Sequence, residues 1–252
     1  MGIGIKTGIM ALAGAGSAFS NVYSLALDGT DDRVTMGDVL DFANDGTQAF
    51  SLSAWFKTTD TATQVLIGKQ LNTSPFNGYN LSLSSNTIGF FLGTTSGQAR
   101  IQGLSPTLSS ITNGNWHHVA LTYDGSQNIS GFTIYFNNSS QSITTTFNNT
   151  PTAVASSAEF MIGARGINSS NSVFFDGNID EVAYFTSELT SGNIATIYNS
   201  GVPGDISALN PVGWWRMGDN DGGSGTTVTD QGSGGNNGTL TNDAAFEEDV
   251  PS

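Results

Sequence analysis

A two-residue alternation of apolar and polar side chains recurs along this chain and constrains its fold more than any other feature. In segment 49–57 (AFSLSAWFK), every second residue from Phe50 to Phe56 is apolar, and serines fill most of the positions between them. Such alternation is typical of a strand that is buried on one face. Similar short segments, separated by turn residues, lie at 22–28, 64–69, 78–83, 87–92, 98–104, 116–125, 132–137 and 141–147. Short strands at regular spacing predict an all-β, antiparallel sandwich.

The composition agrees with many short strands joined by polar turns. Glycine accounts for 32 of the 252 residues, and only 11% of residues are charged. One helix is predicted over 190–199, because Ile194, Ile197 and Tyr198 have helical spacing and Gly201 follows as a stop signal. The chain has no cysteine, which excludes disulfides, thiolate catalysis and zinc–thiolate sites.

The charge balance excludes two classes of partner. The formal net charge is −14, and the seven Lys and Arg residues are scattered along the chain. Binding to nucleic acid requires clustered cations that neutralise phosphates, so we predict no nucleic-acid partner. We predict no association with an anionic membrane surface for the same reason. The acidity favours solubility and the binding of divalent cations.

The N-terminal segment 1–21 is apolar, rich in Gly and Ala, and carries a single cation, Lys6. A signal peptide has similar features, but Gly8, Gly14 and Gly16 interrupt the apolar run. The same interruption disfavours a transmembrane helix. We predict an assembly arm that inserts into a neighbouring subunit or a larger particle. The alternative is an arm that lies on its own domain.

The segment 174–185 (FFDGNIDEVAYF) is predicted to be a turn that leads into a long strand. Asp180 and Glu181 lie next to each other in this strand. Because side chains alternate across a strand, we expect the two carboxylates to point to opposite faces. We therefore interpret Asp180 as a calcium ligand or a hydrogen-bonded clamp to the first strand, and Glu181 as a solvated residue.

Four segments together resemble the laminin-G-like jelly rolls of the concanavalin A-like lectin/glucanase superfamily. They are 23–34 (YSLALDGTDDRV), 50–58 (FSLSAWFKT), 116–125 (WHHVALTYDG) and 174–199, which begins FFDGNIDEVAYF and includes the predicted helix. The four occur in the family's order. The resemblance implies two stacked, curved antiparallel sheets with a concave face.

The C-terminal segment resembles the opening of such a domain, although it lies at the chain's end. Val212–Asp219 (VGWWRMGD) is followed by a Gly-rich stretch. We interpret this as a circular permutation, in which 22–252 is a single sandwich and 206–252 folds back to complete it. A swap of this segment into a neighbouring subunit would use the same contacts.

The resemblance also implies a structural calcium ion at the sandwich edge. Asp28 and Asp180 match the family's positions, and Asp31 is a further candidate ligand. Carboxylate oxygens suit Ca²⁺. The alternative is that these Asp residues only accept backbone hydrogen bonds in turns.

Glycan binding needs aromatic rings beside polar side chains on an open face. If Phe50, Leu52, Leu81 and Leu83 face the core, other residues of their strands and neighbouring strands face outward. The candidate glycan-binding residues on that face are Trp55, Asn80, Ser82, Phe91, His118 and Tyr135. The alternative is that Trp55 and Phe91 lie under the C-terminal segment, in which Trp214 and Trp215 must point in opposite directions.

No pair of acids has the spacing of a glycosidase. Retaining members of the superfamily carry alternate acids on one strand face, and this chain has no such array. We therefore predict no catalytic residues and no enzyme activity. The favoured function is a virion structural and adhesive protein, in capsid decoration or a tail fibre, because single-domain proteins ending in this Trp-Trp-Arg-Met-Gly-Asp style resemble those of tailed phages. This places it on the virion surface, as a homo-oligomer with capsid or tail proteins and a host-surface glycan as partners. The alternatives are an extracellular lectin and a polysaccharide-degrading enzyme.

Overall fold

A computed structural model describes residues 19–71, 73–166 and 173–252, so most of the predicted arm at 1–21 lies outside the described residues. The strands are β1 (Ser24–Asp28), β2 (Arg33–Thr35), β3 (Phe50–Lys57), β4 (Gln64–Gln70), β5 (Gly78–Ser84), β6 (Thr87–Gly93), β7 (Arg100–Leu104), β8 (His117–Tyr123), β9 (Phe132–Phe136), β10 (Ser139–Gln141), β11 (Thr144–Asn148), β12 (Met161–Ile162), β13 (Ala164–Arg165), β14 (Val173–Phe174), β15 (Asp176–Phe185), β16 (Gly213–Trp215), β17 (Thr227–Val228), β18 (Gly238–Thr241) and β19 (Ala245–Glu247). One α-helix, α1, spans Ser191–Tyr198.

The strands form two large antiparallel sheets. Sheet 1 has the order β10-β9-β8-β3-β15-β1-β19, and β16 also pairs with β15. Sheet 2 has the order β11-β7-β6-β5-β4-β12-β2-β18-β17. The short strands β13 and β14 pair separately. This architecture confirms the predicted all-β, antiparallel jelly-roll sandwich.

The main core lies between the two sheets, where alternate residues of the strands point inward. Phe50, Leu52 and Phe56 of β3 face Leu81 and Leu83 of β5 across this layer, and all are fully buried. Burial of apolar side chains is the dominant favourable term in folding. The prediction that these side chains face the core is therefore confirmed.

The long strand β15 receives two partners on one edge. Its first half pairs with β1, where Ile179 lies opposite Leu25. Its second half pairs with β16, where Val182 lies opposite Trp215. The other edge of β15 pairs with β3 from Asn178 to Phe185, with a shift of register between Asp180 and Ala183.

Residues near the C-terminus contribute to both sheets. In sheet 1, β16 pairs with β15 and β19 pairs with β1. In sheet 2, β18 pairs with β2 and carries β17 at the edge. Trp215 points into the main core and Trp214 points to the outer face of sheet 1, in the opposite directions that were predicted.

Helix α1 covers the outer face of sheet 1. Thr190 caps its N-terminus by accepting the Asn193 backbone N–H, and the Asn193 side chain accepts the Thr190 N–H in return. Ile194 and Ile197 pack on Phe185 in a second apolar cluster. Among the described residues, no helix is long and apolar enough to cross a membrane.

Candidate functional site

A groove with a volume of about 850 Å³ lies on the outer face of sheet 2, the face that α1 does not cover. Its floor is formed by the neighbouring strands β5, β6 and β7, whose paired residues lie in rows across the strand direction. In the central row, Asn80 of β5 pairs with Phe91 of β6, which pairs with Gln102 of β7. Because Tyr79, Leu81 and other alternate residues point into the core, the side chains of this row point outward.

Glycines keep the floor of this groove low. Gly89 of β6 lies between Ser82 and Leu104 in the next row. A Cβ atom at Gly89 would come within 3.0 Å of the Leu104 side chain and 3.2 Å of the Ser82 hydroxyl. Any larger residue would therefore fill the space between these two side chains.

The groove combines polar groups with aromatic surface. The Asn80 amide donates a hydrogen bond of 2.6 Å to Oε1 of Gln70, and the Ser82 hydroxyl donates to the Gly89 carbonyl at 3.3 Å. Phe76 and Phe91 supply the aromatic surface. Gln102 is half-buried and has no side-chain hydrogen bond to another described residue. An amide of this kind can bind an incoming hydroxyl group.

Sequence reasoning missed the two cations of the groove. Arg100 of β7 and Arg165 of β13 both line it. No Asp or Glu belongs to the described residues around it. The sequence did contain a signal for Arg100. It lies two residues before Gln102 in the predicted strand 98–104, so the two side chains are expected on the same face.

The six residues predicted to form one glycan-binding face are divided between the two sides of the sandwich, so that prediction of a shared face was wrong. Asn80, Ser82 and Phe91 line the groove of sheet 2. Trp55, His118 and Tyr135 belong to β3, β8 and β9 of sheet 1 and face the side that α1 covers. Alternation fixes the face of a strand, but it does not show which sheet the strand joins.

The sheet 1 residues are packed under the helix. The Trp55 ring is only 2% exposed and stacks on Tyr198 of α1, with 5.7 Å between ring centroids. Nε2 of the fully buried His118 lies 2.8 Å from the Ser53 hydroxyl, and burial lowers the pKa of His118 to about 3. Both residues are therefore unavailable to a sugar, while Tyr135 is only partly buried beside the apolar cluster.

The carboxylates of β15 lie on the same face of sheet 1, so the prediction of opposite faces was wrong. Glu181 has a positive φ of 47°, which marks a β-bulge at the shift in register with β3. Ile179 and Val182 on either side of the pair both point into the main core. Asp180 and Glu181 are 0% and 5% exposed, so the expectation of a solvated Glu181 was also wrong.

This buried cluster has one cation for three carboxylates. Arg216 donates from Nε to Glu181 at 2.9 Å and from Nη2 to Asp219 at 2.9 Å. The Trp214 indole N–H donates to Glu181 at 2.6 Å. Asp180 accepts a hydrogen bond from the Asn21 side chain at 2.9 Å. The excess negative charge favours retention of a proton in the cluster.

The pKa values follow from this arrangement. Burial raises the pKa of Asp180 well above its ordinary value, and the neighbouring Glu181 raises it further. Burial also raises the pKa of Glu181 to about 7, although Arg216 opposes the shift.

The predicted calcium ligands are not all together. Asp28, Asp31 and the buried Asp32 place carboxylate oxygens within 4.8 Å of one another. Asp28 pairs with Asp176 of β15, and Asp180 lies four residues further along β15, which is roughly 13 Å along the strand. The inclusion of Asp180 in one site with Asp28 was therefore wrong.

The three clustered acids partly fit a calcium ion. Carboxylate oxygens are hard ligands of the type that Ca²⁺ prefers. Oδ1 of Asp28 accepts the Thr30 N–H at 2.8 Å, and both oxygens of Asp32 accept backbone N–H groups. Burial and the nearby charge of Asp28 raise the pKa of Asp32. A cation at this position would relieve that repulsion.

Comparison with known protein families shows which superfamily the chain belongs to. The family model of the concanavalin A-like lectin/glucanases superfamily (Laminin_G_3) matches residues 28–195, which is more than half of the chain. The chain therefore belongs to this superfamily. A search of the curated proteins found no significant match.

Solved structures share the fold at low sequence identity. A candidate carbohydrate-binding protein from Bacteroides ovatus is similar with a TM-score of 0.62 and 16% identity, over 92% of this chain. The chain spans 62% of that protein. The heptameric SAP-like pentraxin from Limulus polyphemus is similar with a TM-score of 0.51 and 15% identity, over 70% of this chain and 82% of the pentraxin.

The Glu181 carboxyl should make stability depend on pH. A raised pKa contributes stability that is present below the ordinary pKa and is lost as pH rises through about 7. The free energy of unfolding of the wild type minus that of Glu181→Gln should therefore fall by about 1 kcal/mol between pH 6 and pH 8. Urea denaturation at these pH values measures it.

The difference between variants is the informative quantity, because burial lowers the pKa of both His117 and His118 and their contribution opposes that of Glu181. That contribution cancels between wild type and variant. Glu188→Gln, at an exposed position, is the matched control. A pH-independent difference for Glu181→Gln would contradict a raised pKa.

Proposed function

We propose that this protein is a non-catalytic glycan-binding module that uses the groove on the outer face of sheet 2. The observation that carries the proposal is the central row of Asn80, Phe91 and Gln102, which places amides on both sides of an aromatic ring. Sugar rings present apolar C–H faces and hydroxyl groups, so they need this combination. Membership of a superfamily that includes lectins is in line with it.

The acids of the chain support a binding role and not hydrolysis. Glycoside hydrolysis needs two carboxyl groups on either side of the scissile bond. The described lining of the groove contains no carboxyl group. Asp180 and Glu181 are covered on the other side of the sandwich.

We infer that the protein is a structural and adhesive subunit of a virion. The ligand of the groove would then be a host-surface glycan. Phe19 packs on Trp214 at the outer face of sheet 1, with ring centroids 6.3 Å apart. The Gly/Ala-rich segment therefore joins the domain on the side opposite the groove. Such a placement leaves the groove free when the N-terminal segment is anchored. An extracellular lectin is the second candidate, and the groove supports it equally.

We also propose that Asp28, Asp31 and Asp32 hold a structural Ca²⁺ ion. The three carboxylates provide hard oxygens within 4.8 Å of one another. The ion would supply positive charge that links the end of β1 to the start of β2.

Gln102→Ala should weaken glycan binding about fivefold, since a hydrogen bond to a sugar hydroxyl is worth about 1 kcal/mol. Binding is measured on a glycan array and then by titration with the glycan that binds best. Gln231→Ala, at an exposed position in the C-terminal segment, is the matched control. Equal binding by both variants would place the site elsewhere.

Removal of residues 1–18 should lower the assembled mass of the protein, because we propose that this segment mediates assembly. Light scattering on the full and shortened chains measures the mass. Glycan binding per chain should be unchanged, which shows that the domain remains folded. An equal mass for the two chains would contradict the role in assembly.

Calcium should raise the melting temperature. At a concentration about 100-fold above the dissociation constant, a bound ion adds about 2.7 kcal/mol, or about 5–10 °C for a chain of this size. Asp31→Asn should abolish the response, whereas Asp45→Asn, in a separate exposed turn, should retain it. Identical melting curves in calcium and in chelator would exclude the ion.

A further inference from the structure

The groove on sheet 2 has the opposite charge to the rest of the molecule. The chain carries 21 acidic residues and only seven Lys and Arg. Two of the seven, Arg100 and Arg165, line the groove, and no acid joins them among its described residues. The ion pairs of the described residues involve Lys57, Lys69 and Arg216, and neither groove arginine takes part in one.

Arg100 is a buried cation without a counter-ion. Its side chain belongs to a residue that is 8% exposed, and its Nε and Nη1 atoms have no hydrogen-bond partner among the described residues. The guanidinium carbon lies 3.4 Å from the centroid of the Phe147 ring, which offsets part of the lost hydration. Burial of an unpaired charge is costly, so a site of this kind is completed by an anion.

The backbone around the two arginines holds them in place. Arg100 pairs with Gly93 of β6, where a Cβ atom would lie 2.8 Å from the Arg100 Cα. A Cβ at Gly68 of β4 would lie 2.8 Å from the Arg165 Cβ. Each arginine therefore lies this close to its facing position because that position is a glycine.

We infer that the ligand of this groove is an anionic glycan, whose carboxylate or sulfate group binds Arg100 with support from Arg165. The inference rests on the proposed glycan-binding function and names its ligand class. Arginine suits this task because its planar guanidinium binds carboxylates and sulfates with two donors at once. The net charge of −14 repels long polyanions, so recognition depends on short-range contacts inside the groove.

An array of matched glycans tests the inference. Each neutral scaffold is printed beside versions that carry a carboxylate or a sulfate, such as lactose, 3′-sialyllactose and 3′-sulfolactose, or a galacturonic acid trimer beside its methyl ester. The wild type should bind acidic members at least tenfold more tightly than their neutral partners. Comparison of the carboxylate-bearing and sulfate-bearing glycans shows which of the two acidic groups the groove binds.

Three variants assign the preference to the arginines. Arg100→Gln should weaken binding of the acidic glycan at least tenfold. It should change the affinity for the matched neutral glycan less than twofold. Arg100→Lys, which keeps the charge, should recover part of the loss. Arg165→Gln should have a smaller effect in the same direction, and it keeps the test decisive if Arg100→Gln does not fold. Arg33→Gln, at an arginine outside the groove that makes no ion pair with a described residue, is the control.

The outcomes separate the two proposals. Preferential binding of neutral glycans would overturn the anionic ligand. An acidic preference that survives both glutamine variants would overturn the assignment of that preference to the two arginines. Either result would leave the glycan-binding module standing. Absence of binding to every glycan on the array would overturn the module itself. Loss of binding to acidic and neutral glycans alike in Arg100→Gln would show that Arg100 supports the groove as a whole and would also overturn its role in charge selection.

Discussion

The β-bulge at Glu181 is the constraint on which the rest of this structure depends. By inserting one residue into the register with β3, it turns Asp180 and Glu181 to the same side while Ile179 and Val182 both stay in the core. Glu181 then forms an ion pair with Arg216, the residue that directly follows β16. A single irregularity in the backbone thereby joins the N-terminal segment, the longest strand and the C-terminal segment in one buried cluster.

The two outer faces of the sandwich have different roles because different elements follow their strands. Sheet 1 receives α1, and the stacking of Trp55 on Tyr198 makes that face a second core. Sheet 2 receives no such cover among the described residues, and the small residues of β5 and β6 leave a groove in it. The proposed binding groove and the contact of Phe19 with Trp214 therefore lie on opposite sides of the sandwich.

The sequence predicted the fold well because alternation records burial directly. The segment 49–57 became β3 with its predicted inward face, and the outward parity of Asn80, Ser82 and Phe91 was correct. It predicted the site only in part. Nothing in the residues around Glu181 marks a positive φ, and parity cannot show that Trp55 and Asn80 belong to different sheets. The importance of Arg100 is evident only from the structure, in which it stacks on Phe147 and lines the groove.

The edge of β15 that β1 and β16 share also determines when the domain can be completed during synthesis. A chain that has emerged only as far as Phe185 contains β1, β3 and β15, but the backbone groups that will meet Gly213–Trp215 are still unpaired. An exposed strand edge of this kind can pair with another chain. The contacts that close it join residues distant in sequence, which slows folding. Nascent chains thus carry an aggregation-prone edge until the Trp214-Trp215 segment has been translated, and a late truncation would make that state permanent.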